Sequence, residues 1–275
     1  MYAMKIIQPT GQLFGRTLRN IKLPGFELSE GIYNSSMETP QHSHDWALVC
    51  LVIKGNYLER HGAKQVTRSS STAFFHPAEE SHVSDFRDTT VGIFQIEIEP
   101  RRLQMMDCVT RSFRQPMNFK GGTEVILARK IYREFKLMDE VSPIAIEGLI
   151  LEFLASAVRS SNAEKNRSKT PKWLRDAKDF LHDNFTESYS LDNIAAEVGI
   201  HPKYLATEFR RHFRLTIGEY LRRLRIEYAC CQMATSNTSL VDIALSAGFS
   251  SQSHFNRTFK EIMGFTPVQY KKNLE

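Results

Sequence analysis

The C-terminal part of the chain contains one segment twice, and this repeat constrains the fold more than any other feature. Five residue types recur at matched positions, namely Ser190, Leu191, Ile194, Ala195 and Gly199 in the first copy and Ser239, Leu240, Ile243, Ala244 and Gly248 in the second. The offset is 49 residues up to the glycine and 50 residues after it, so the second copy has one more residue in its turn. This repeat predicts one small supersecondary unit that forms twice.

Each copy has the pattern of a short helix, a turn that starts with glycine, and a second helix. The serine is a preferred N-cap residue, and the glycine is preferred after a helix C-terminus. Beyond the turn, Leu205 and Phe209 in the first copy, and Phe255 and Phe259 in the second, have the spacing that seats the second helix on the first. This layout is typical of a helix-turn-helix, which leaves the opposite face of the second helix free for the major groove of DNA.

Basic and amide side chains dominate the free faces of both second helices. Arginine can bond a guanine edge, asparagine and glutamine an adenine edge, and lysine a phosphate. Any solvated helix face can carry such residues, but their occurrence at matched positions of two copies favours DNA binding. The predicted DNA-binding residues are Lys203, Tyr204, Thr207 and Arg210 in the first copy and Gln252, Ser253, Asn256, Arg257 and Lys260 in the second.

The segment that joins the copies and the distribution of charge both agree with a DNA partner. Residues 217–235 predict a helix about 28 Å long, close to one turn of DNA at roughly 34 Å, so the two second helices could reach successive major grooves. The 275-residue chain has a net charge of +5, and residues 161–275 hold 17 Lys and Arg against 13 Asp and Glu. The positive excess therefore lies mainly in the C-terminal part.

The N-terminal half has the patterns of strands followed by helices. Residues 26–99 read as short strands, including a hairpin around Gly55 and a half-buried strand in which Gln95 and Glu97 alternate with apolar neighbours. These strands predict a small β-barrel or sandwich. Residues 123–159 predict two helices with strong apolar faces, which could pack onto the barrel, pair with a second subunit, or do both.

The residues of both copies resemble the C-terminal domain of AraC/XylS-type transcriptional regulators. The resemblance rests on SLDNIAAEVGIHPKYLATEFRRHF and on SLVDIALSAGFSSQSHFNRTFKEIMGFTPVQYKK, and it covers residues 171–274. It implies two helix-turn-helix units on promoter DNA, usually activating transcription by RNA polymerase. The base-reading positions it implies are Lys203, Ala206 and Thr207 in the first unit and Gln252, Ser253, Asn256 and Arg257 in the second.

Two departures from the family pattern concern the first unit. Ala206 and Thr207 are smaller than the long polar residues often found at these positions, so base reading there would depend on Lys203 and Arg210 or be loose. Arg214 stands where the second copy has Gly264. Because a left-handed arginine costs about 1 kcal/mol or more, we expect a turn of different shape at Arg214.

The N-terminal half is similar to the cupin-like sensor barrels of many family members, through HSHDWALVCLVIKG and FFHPAEESH. His42 and His44 would point the same way from one strand and His82 could approach from a neighbouring one, so we predict that they contact a small-molecule effector. Three imidazoles also suit zinc, iron or nickel, as in an enzymatic cupin. Metal-binding cupins usually have a glutamate where this chain has Leu48 and Val49, so we expect no metal and no cofactor.

These observations predict an α+β protein with an N-terminal cupin-like β-barrel, accessory helices, and an all-α C-terminal domain with two helix-turn-helix units. The predicted boundaries are 1–122 for the sensor barrel, 123–160 for accessory or dimerisation helices, 161–170 for a linker, and 171–275 for the DNA-binding domain. The expected partners are promoter DNA, RNA polymerase, an unknown effector and, from the apolar faces near Leu149 and Phe153, a second copy of the chain.

Other classes of protein find little support in the sequence. Membrane-spanning stretches and a signal-peptide core are absent, so we expect a soluble, cytoplasmic protein without a membrane partner. We expect no enzyme, because no Walker loop, GxGxxG motif or Ser-His-Asp order is present. Cys50, Cys108, Cys230 and Cys231 lack CxxC spacing and are expected as buried thiols, with a thiol sensor at Cys230 and Cys231 as the alternative.

Overall fold

The structure, a computed structural model, describes residues 6–70, 72–87, 89–120, 122–165 and 170–272. The chain divides into two compact units, Met1–Arg159 and Ser160–Lys272, and each is described by itself. In the described residues, no helix combines the length and the apolar character needed to cross a membrane.

The first unit combines strands with four described helices. Its strands are β1 (Ile6–Gln8), β2 (Arg16–Leu23), β3 (Phe26–Tyr33), β4 (His42–His44), β5 (Ala47–Lys54), β6 (Asn56–His61), β7 (Lys64–Ser69), β8 (Thr72–His76), β9 (Val83–Asp85), β10 (Val91–Ile98) and β11 (Met117–Lys120). Its helices are α1 (Pro100–Gln104), α2 (Asp107–Ser112), α3 (Gly122–Leu137) and α4 (Ser142–Lys165).

The described strands form three sheets and no single closed barrel. A six-stranded antiparallel sheet has the order β11-β8-β5-β10-β3-β2, a three-stranded sheet has the order β7-β6-β9, and β1 pairs with β4 in parallel. The predicted hairpin around Gly55 is wrong, since β5 and β6 lie in different sheets. The hairpin does not form because β10 and β8 occupy both hydrogen-bonding edges of β5, which leaves no edge for β6.

Strand β10 is more deeply buried than its alternating pattern predicted. It lies between β3 and β5, and both of its faces are covered, so that Gln95 and Glu97 are only 9% and 3% exposed. One face carries Phe94 and Ile96 into the main core, and the other carries Ile93 into a second apolar cluster. The half-buried strand is therefore a central strand, with polar residues facing the protein interior.

Helices α3 and α4 supply one side of the main core of the first unit. Phe135 of α3 has its ring centroid 4.9 Å from that of Phe94, and Phe153 of α4 lies 5.5 Å from Phe119. Leu149 packs against the same core and Phe153 is 1% exposed, so both contribute to packing within the unit. Within the predicted linker, residues 161–165 belong to α4, and residues 166–169 lie outside the described part.

The described part of the second unit is helical. Its helices are α5 (Lys172–Asp183), α6 (Leu191–Glu197), α7 (Pro202–Phe213), α8 (Ile217–Thr235), α9 (Leu240–Ser246), α10 (Gln252–Met263) and α11 (Pro267–Lys272). The predicted burial of the thiols holds for Cys50 and Cys230, whereas Cys231 is half-buried and the side chain of Cys108 lies outside the description.

Candidate nucleic-acid interface and ligand pocket

The first repeated segment folds into the helix pair α6 and α7. Ser190 caps α6 by accepting a hydrogen bond from the Asn193 N–H, and the Asn193 side chain accepts one from the Ser190 N–H in return. The turn begins at Gly199, whose φ of 67° lies in the left-handed region that glycine enters readily. Leu205 and Phe209 of α7 are fully buried, and this burial fixes which face of α7 points to solvent.

The second repeated segment folds into the helix pair α9 and α10 with the same local devices. Ser239 caps α9 by accepting from the Asp242 N–H, and Gly248 begins the turn with a φ of 81°. Phe255 and Phe259 are fully buried at the positions that match Leu205 and Phe209. The turn between the helices is five residues long here and four in the first pair, as the change of offset predicted.

The four residues predicted for the first DNA-contacting face lie together on the solvent side of α7. Lys203, Tyr204, Thr207 and Arg210 are exposed. The Thr207 hydroxyl donates to the Lys203 carbonyl at 2.9 Å. The Tyr204 ring lies 5.6 Å from that of Trp173 in α5, so one side of it is packed against the protein.

The five residues predicted for the second face share one side of α10 but differ in exposure. Ser253, Arg257 and Lys260 are exposed, whereas Gln252 and Asn256 are half-buried. The Asn256 Oδ1 is buried and accepts no hydrogen bond from a described residue. The exposed cations of α10 thus lie one helical turn apart, at the positions that correspond to Thr207 and Arg210.

The turn after α7 corrects one sequence expectation. Arg214 adopts φ 59° and ψ 16°, and its N–H donates to the Arg210 carbonyl, while Gly264 adopts φ 83° and ψ −2° and donates to the Lys260 carbonyl. Both helices therefore end in the same left-handed conformation. The expectation of a differently shaped turn is wrong, because the chain keeps the geometry and accepts the strain of a left-handed arginine.

A pocket in the first unit gathers His42, His44 and His82, as the sequence predicted. The His82 ring centroid lies 4.3 Å from that of His42 and 5.3 Å from that of His44. All three are buried, and burial lowers the pKa of each, that of His44 to about 3. These imidazoles are therefore neutral at physiological pH and can act as hydrogen-bond donors, acceptors or ligands. The aromatic lining of the pocket consists of Phe14, Tyr33, Tyr57, Phe74 and Phe86.

Four further charged or titratable residues adjoin this pocket, and the sequence reasoning missed them. The carboxylate of Glu59 lies beside the Nε2 atoms of His61 and His76. The carboxylate of Glu80 lies beside the Nδ1 atoms of the same two rings, on the opposite side. The sequence did contain a signal for this cluster. Glu59 and His61 lie two positions apart and so share one face of β6, and FFHPAEESH contains His76 and Glu80 as well as His82. Only the spatial approach of β6 to β8 shows that these residues form one cluster.

The electrostatics of this cluster differ from those of the three neutral imidazoles. Burial opposes protonation of His61 and His76, but the two carboxylates outweigh it, raising the pKa of His61 to about 9 and that of His76 above its usual value. Burial likewise opposes ionisation of Glu80, but His61 and His76 lower its pKa to about 2. The two acids therefore favour their ionised forms, and they shift both imidazoles towards protonation.

Comparison with known proteins places the C-terminal part in a described family. A family model described as "Helix-turn-helix domain" matches residues 194–273. The HTH-type transcriptional activator AarP of Providencia stuartii is 37% identical over 92 residues, which cover 34% of this chain and 68% of that protein. The melibiose operon regulatory protein of Escherichia coli K12 is 32% identical over 93 residues, 34% of this chain and 31% of that protein. The chain thus spans less than a third of the length of the melibiose regulator.

Two further similarities extend over most of the chain. The HTH-type transcriptional activator RhaS of Shigella sonnei is 23% identical over 239 residues, covering 83% of this chain and 86% of that protein. The crystal structure of ToxT from Vibrio cholerae is 14% identical, with a TM-score of 0.37, and covers 91% of this chain and 98% of that one.

The matched segment places the C-terminal part of the chain in the helix-turn-helix class. The chain belongs to the AraC/XylS family of transcriptional regulators.

Proposed function

We propose that this protein regulates transcription by binding promoter DNA through two helix-turn-helix units, α6–α7 and α9–α10. The observation that carries this proposal is the repetition itself. Two helix pairs share the same serine cap, the same left-handed glycine and the same buried pair of large apolar residues, and both present exposed cations on the remaining face. Packing alone would not require two copies of that outer face.

The proposed roles of the exposed residues follow from their chemistry. Arg257 is exposed in the middle of α10 and has the planar donors that bond a guanine edge at two points. Lys260 lies one turn further along and suits a phosphate as a point charge. In α7 we assign base reading mainly to Lys203 and Arg210, and Tyr204 and Thr207 complete the proposed first surface. Gln252, Ser253 and Asn256 complete the proposed second surface.

Helix α8, which joins the two pairs, has 19 residues and a stable start. Thr216 caps it by accepting from the Glu219 N–H, and the Glu219 carboxylate accepts from the Thr216 N–H at 2.7 Å. A helix of this length measures about 28 Å, which is compatible with two units that engage major grooves roughly 34 Å apart. We therefore propose that one chain contacts two successive grooves on one face of the duplex.

The test compares two substitutions on a retained and a scrambled duplex. Genomic fragments held by the full-length protein supply the specific duplex. Arg257→Ala should weaken binding to it by about 1 to 3 kcal/mol and scrambled DNA much less. Lys260→Ala should weaken both duplexes equally and lower the slope of log affinity against log salt by about 1.

Lys64→Ala provides the matched control, since it removes one exposed positive charge from β7 in the first unit. Its affinity for both duplexes should equal that of the unmodified protein. Equal losses on both duplexes for Arg257→Ala would show that this residue contacts phosphate only. If the unmodified protein bound no duplex with a salt-dependent affinity, the proposed function would be refuted.

We further propose that residues 1–122 form a cupin-like sensor in which His42, His44 and His82 contact a small effector. Support comes from the combination of aromatic walls and neutral imidazoles, which is typical of ligand pockets. An effector that binds this pocket should raise the melting temperature of the full-length protein, because a ligand of the folded state stabilises it. A broad metabolite panel in which no compound raises the melting temperature would count against an effector.

The remaining partners are proposals of the same kind. Residues 123–160 would transmit the state of the pocket and pair two subunits, and residues 171–275 would bind DNA and assist RNA polymerase. The outer side of α4 supports pairing better than the residues named from the sequence, since Ile144 and Leu151 are 76% and 43% exposed. Leu149 and Phe153 pack inward instead.

A further inference from the structure

The side chains of His61 and His76 form a pair of stacked rings between two carboxylates. Their ring centroids are 5.3 Å apart with an interplanar angle of 20°. The Nε2 atoms of both rings face Glu59 Oε1, at 2.6 Å from His61 and 3.4 Å from His76. The Nδ1 atoms face the carboxylate of Glu80, at 3.1 Å from His61 and 3.3 Å from His76. The pair thus has two edges, each with two nitrogens and one carboxylate.

The Glu59 edge is already occupied by protein donors. Arg68 donates to Glu59 Oε1 from Nε at 3.1 Å and from Nη2 at 2.5 Å, and the Tyr57 hydroxyl donates to Oε2 at 3.2 Å. Arg68 is 2% exposed, so its charge is poorly screened and would repel a second cation at this edge. Glu59 is therefore suited to orienting the His61 ring, with which it forms a hydrogen bond, rather than to binding a metal ion directly.

The Glu80 edge holds one hydrogen bond, between His76 Nδ1 and Glu80 Oε2 at 3.3 Å, and no arginine contacts it among the described residues. The Nδ1 of His61 is buried and makes no hydrogen bond with a described residue, although Glu80 lies within ion-pair distance. One donor atom each from His61, His76 and Glu80 lies within 4.8 Å of the other two. Glu80 and His61 have side chains 20% and 13% exposed, so an ion has access to this edge from solvent.

We propose that His61 Nδ1, His76 Nδ1 and the Glu80 carboxylate form a binding site for a divalent transition-metal ion of the zinc class. Two imidazoles and one carboxylate, with a fourth position open to solvent, are a common zinc ligand set. Ligating histidines usually bond a carboxylate through their other ring nitrogen, and His61 Nε2 does so with Glu59 at 2.6 Å, while His76 Nε2 lies 3.4 Å from the same oxygen without a hydrogen bond. The arrangement therefore supplies both the ligands and the groups that orient them.

The proposed ligands differ from His42, His44 and His82, although the His76 ring stacks on that of His82 with centroids 4.6 Å apart, and the site does not depend on the proposed DNA binding. Its position gives it a structural consequence. His61 ends β6 in the three-stranded sheet, whereas His76 ends β8 in the six-stranded sheet and Glu80 follows in the next loop. A bound ion would join the two sheets beside the pocket that His76 lines.

The experiment titrates the full-length protein, stripped with a chelator, with zinc chloride in a calorimeter and with cobalt(II) in a visible spectrometer. We expect one equivalent of zinc to bind and cobalt to show the absorption of a four-coordinate site. Glu80→Gln and His61→Gln should each lower zinc affinity by about tenfold or more. Saturating zinc should also raise the melting temperature, and Glu80→Gln should abolish that rise.

Two matched variants distinguish this site from its neighbours. Glu79→Gln removes the same charge one residue earlier in the chain, and His44→Gln alters the other histidine group; both should bind zinc like the unmodified protein. Circular dichroism and the metal-free melting temperature identify any variant that fails to fold. The proposal is overturned if the unmodified protein binds zinc only in the millimolar range, or if His44→Gln abolishes binding while Glu80→Gln retains it. DNA binding is measured separately, so either proposal can fail alone.

Discussion

The left-handed arginine after α7 provides a sharp test of the strain inferred in the first helix pair. Arg214 is exposed and has φ 59°, while Gly264 occupies the equivalent place after α10 with φ 83°. Both N–H groups donate to a carbonyl four residues earlier, at 2.9 Å and 2.8 Å. The two turns thus differ in side chain and share their hydrogen bond, so Arg214→Gly isolates the cost of the Cβ atom.

The magnitude follows from two opposing effects. A left-handed conformation costs an L-residue about 1 to 2 kcal/mol, which glycine avoids. Glycine also gives the unfolded chain more freedom, which removes about 0.4 to 1 kcal/mol of that gain. Since the exposed arginine is not part of a core, Arg214→Gly should raise the free energy of unfolding of the second unit by about 0.5 to 1 kcal/mol. Arg214→Asn should also stabilise, because asparagine tolerates the left-handed region.

The assay is urea unfolding of the full-length protein followed by circular dichroism at a helical wavelength, with an unchanged m-value required. Arg214→Ala is the control for charge, since it removes the guanidinium but keeps the Cβ atom, and it should give no gain. Gly264→Arg should lower stability by a similar amount. If Arg214→Gly and Arg214→Ala had equal effects, the stabilisation would come from charge, and the strain argument would be refuted.

Two further predictions concern packing and pH. A Cβ atom at Gly248 would lie 2.2 Å from the Thr186 carbonyl oxygen, whereas one at Gly199 would meet no atom within 4 Å. Gly248→Ala should therefore cost about 3 kcal/mol or more, and Gly199→Ala only about 1 kcal/mol of backbone strain, in the same unfolding assay. Burial, together with nearby carboxylates, raises the pKa of Glu97 to about 7. The hydrogen bond that the Gly11 N–H donates to Glu97 opposes this shift but is outweighed. Because the folded state binds this proton more tightly than the unfolded state, stability should fall as pH rises from about 4.5 to 7, by up to about 3 kcal/mol. Glu97→Gln should flatten this decline in melts at pH values across that window; an unchanged pH profile would contradict the raised pKa.

The helix pairs could be predicted closely because their signals are local. Ser190 and Ser239 are helix caps, and Gly199 and Gly248 begin turns, within a few residues of the groups that they satisfy. The burial of the apolar residues in α7 and α10 follows from a helical period that the sequence displays directly. Such features depend on neighbours along the chain, so a single sequence contains nearly all the information needed to place them.

The sheets could not be predicted in this way because strand pairing joins distant residues. Leu48 pairs with His76 and Gly92 with Lys54, and these contacts decided that β5 has no free edge for β6. The residues around Gly55 favour a hairpin on local grounds, but the pairing of β5 with β10 and β8 overrides this local preference. The burial of Gln95 and Glu97 has the same origin, since it depends on which elements cover the second face of the sheet.

The ligand pocket shows the same limit for function. His42 and His44 could be identified because they lie two positions apart on one strand, and His82 because its segment resembles a known motif. Glu59, His61 and His76 come from two strands whose proximity no sequence pattern reveals. A cluster of titratable side chains from different sheets can therefore be recognised only when the pairing of the strands is known.

The two turn glycines of the repeat, Gly199 and Gly248, are required for different physical reasons. Gly199 and Gly248 are equivalent in sequence and share a left-handed φ, so the sequence gives one explanation for both. In the structure, backbone conformation alone explains Gly199, whereas Gly248 is also required by the approach of Thr186. Two copies with the same pattern thus tolerate different substitutions, because the second pair has a neighbour pressed against its turn and the first has open space. Equal losses for the two alanine variants would mean that φ, and not this contact, sets the requirement at both turns.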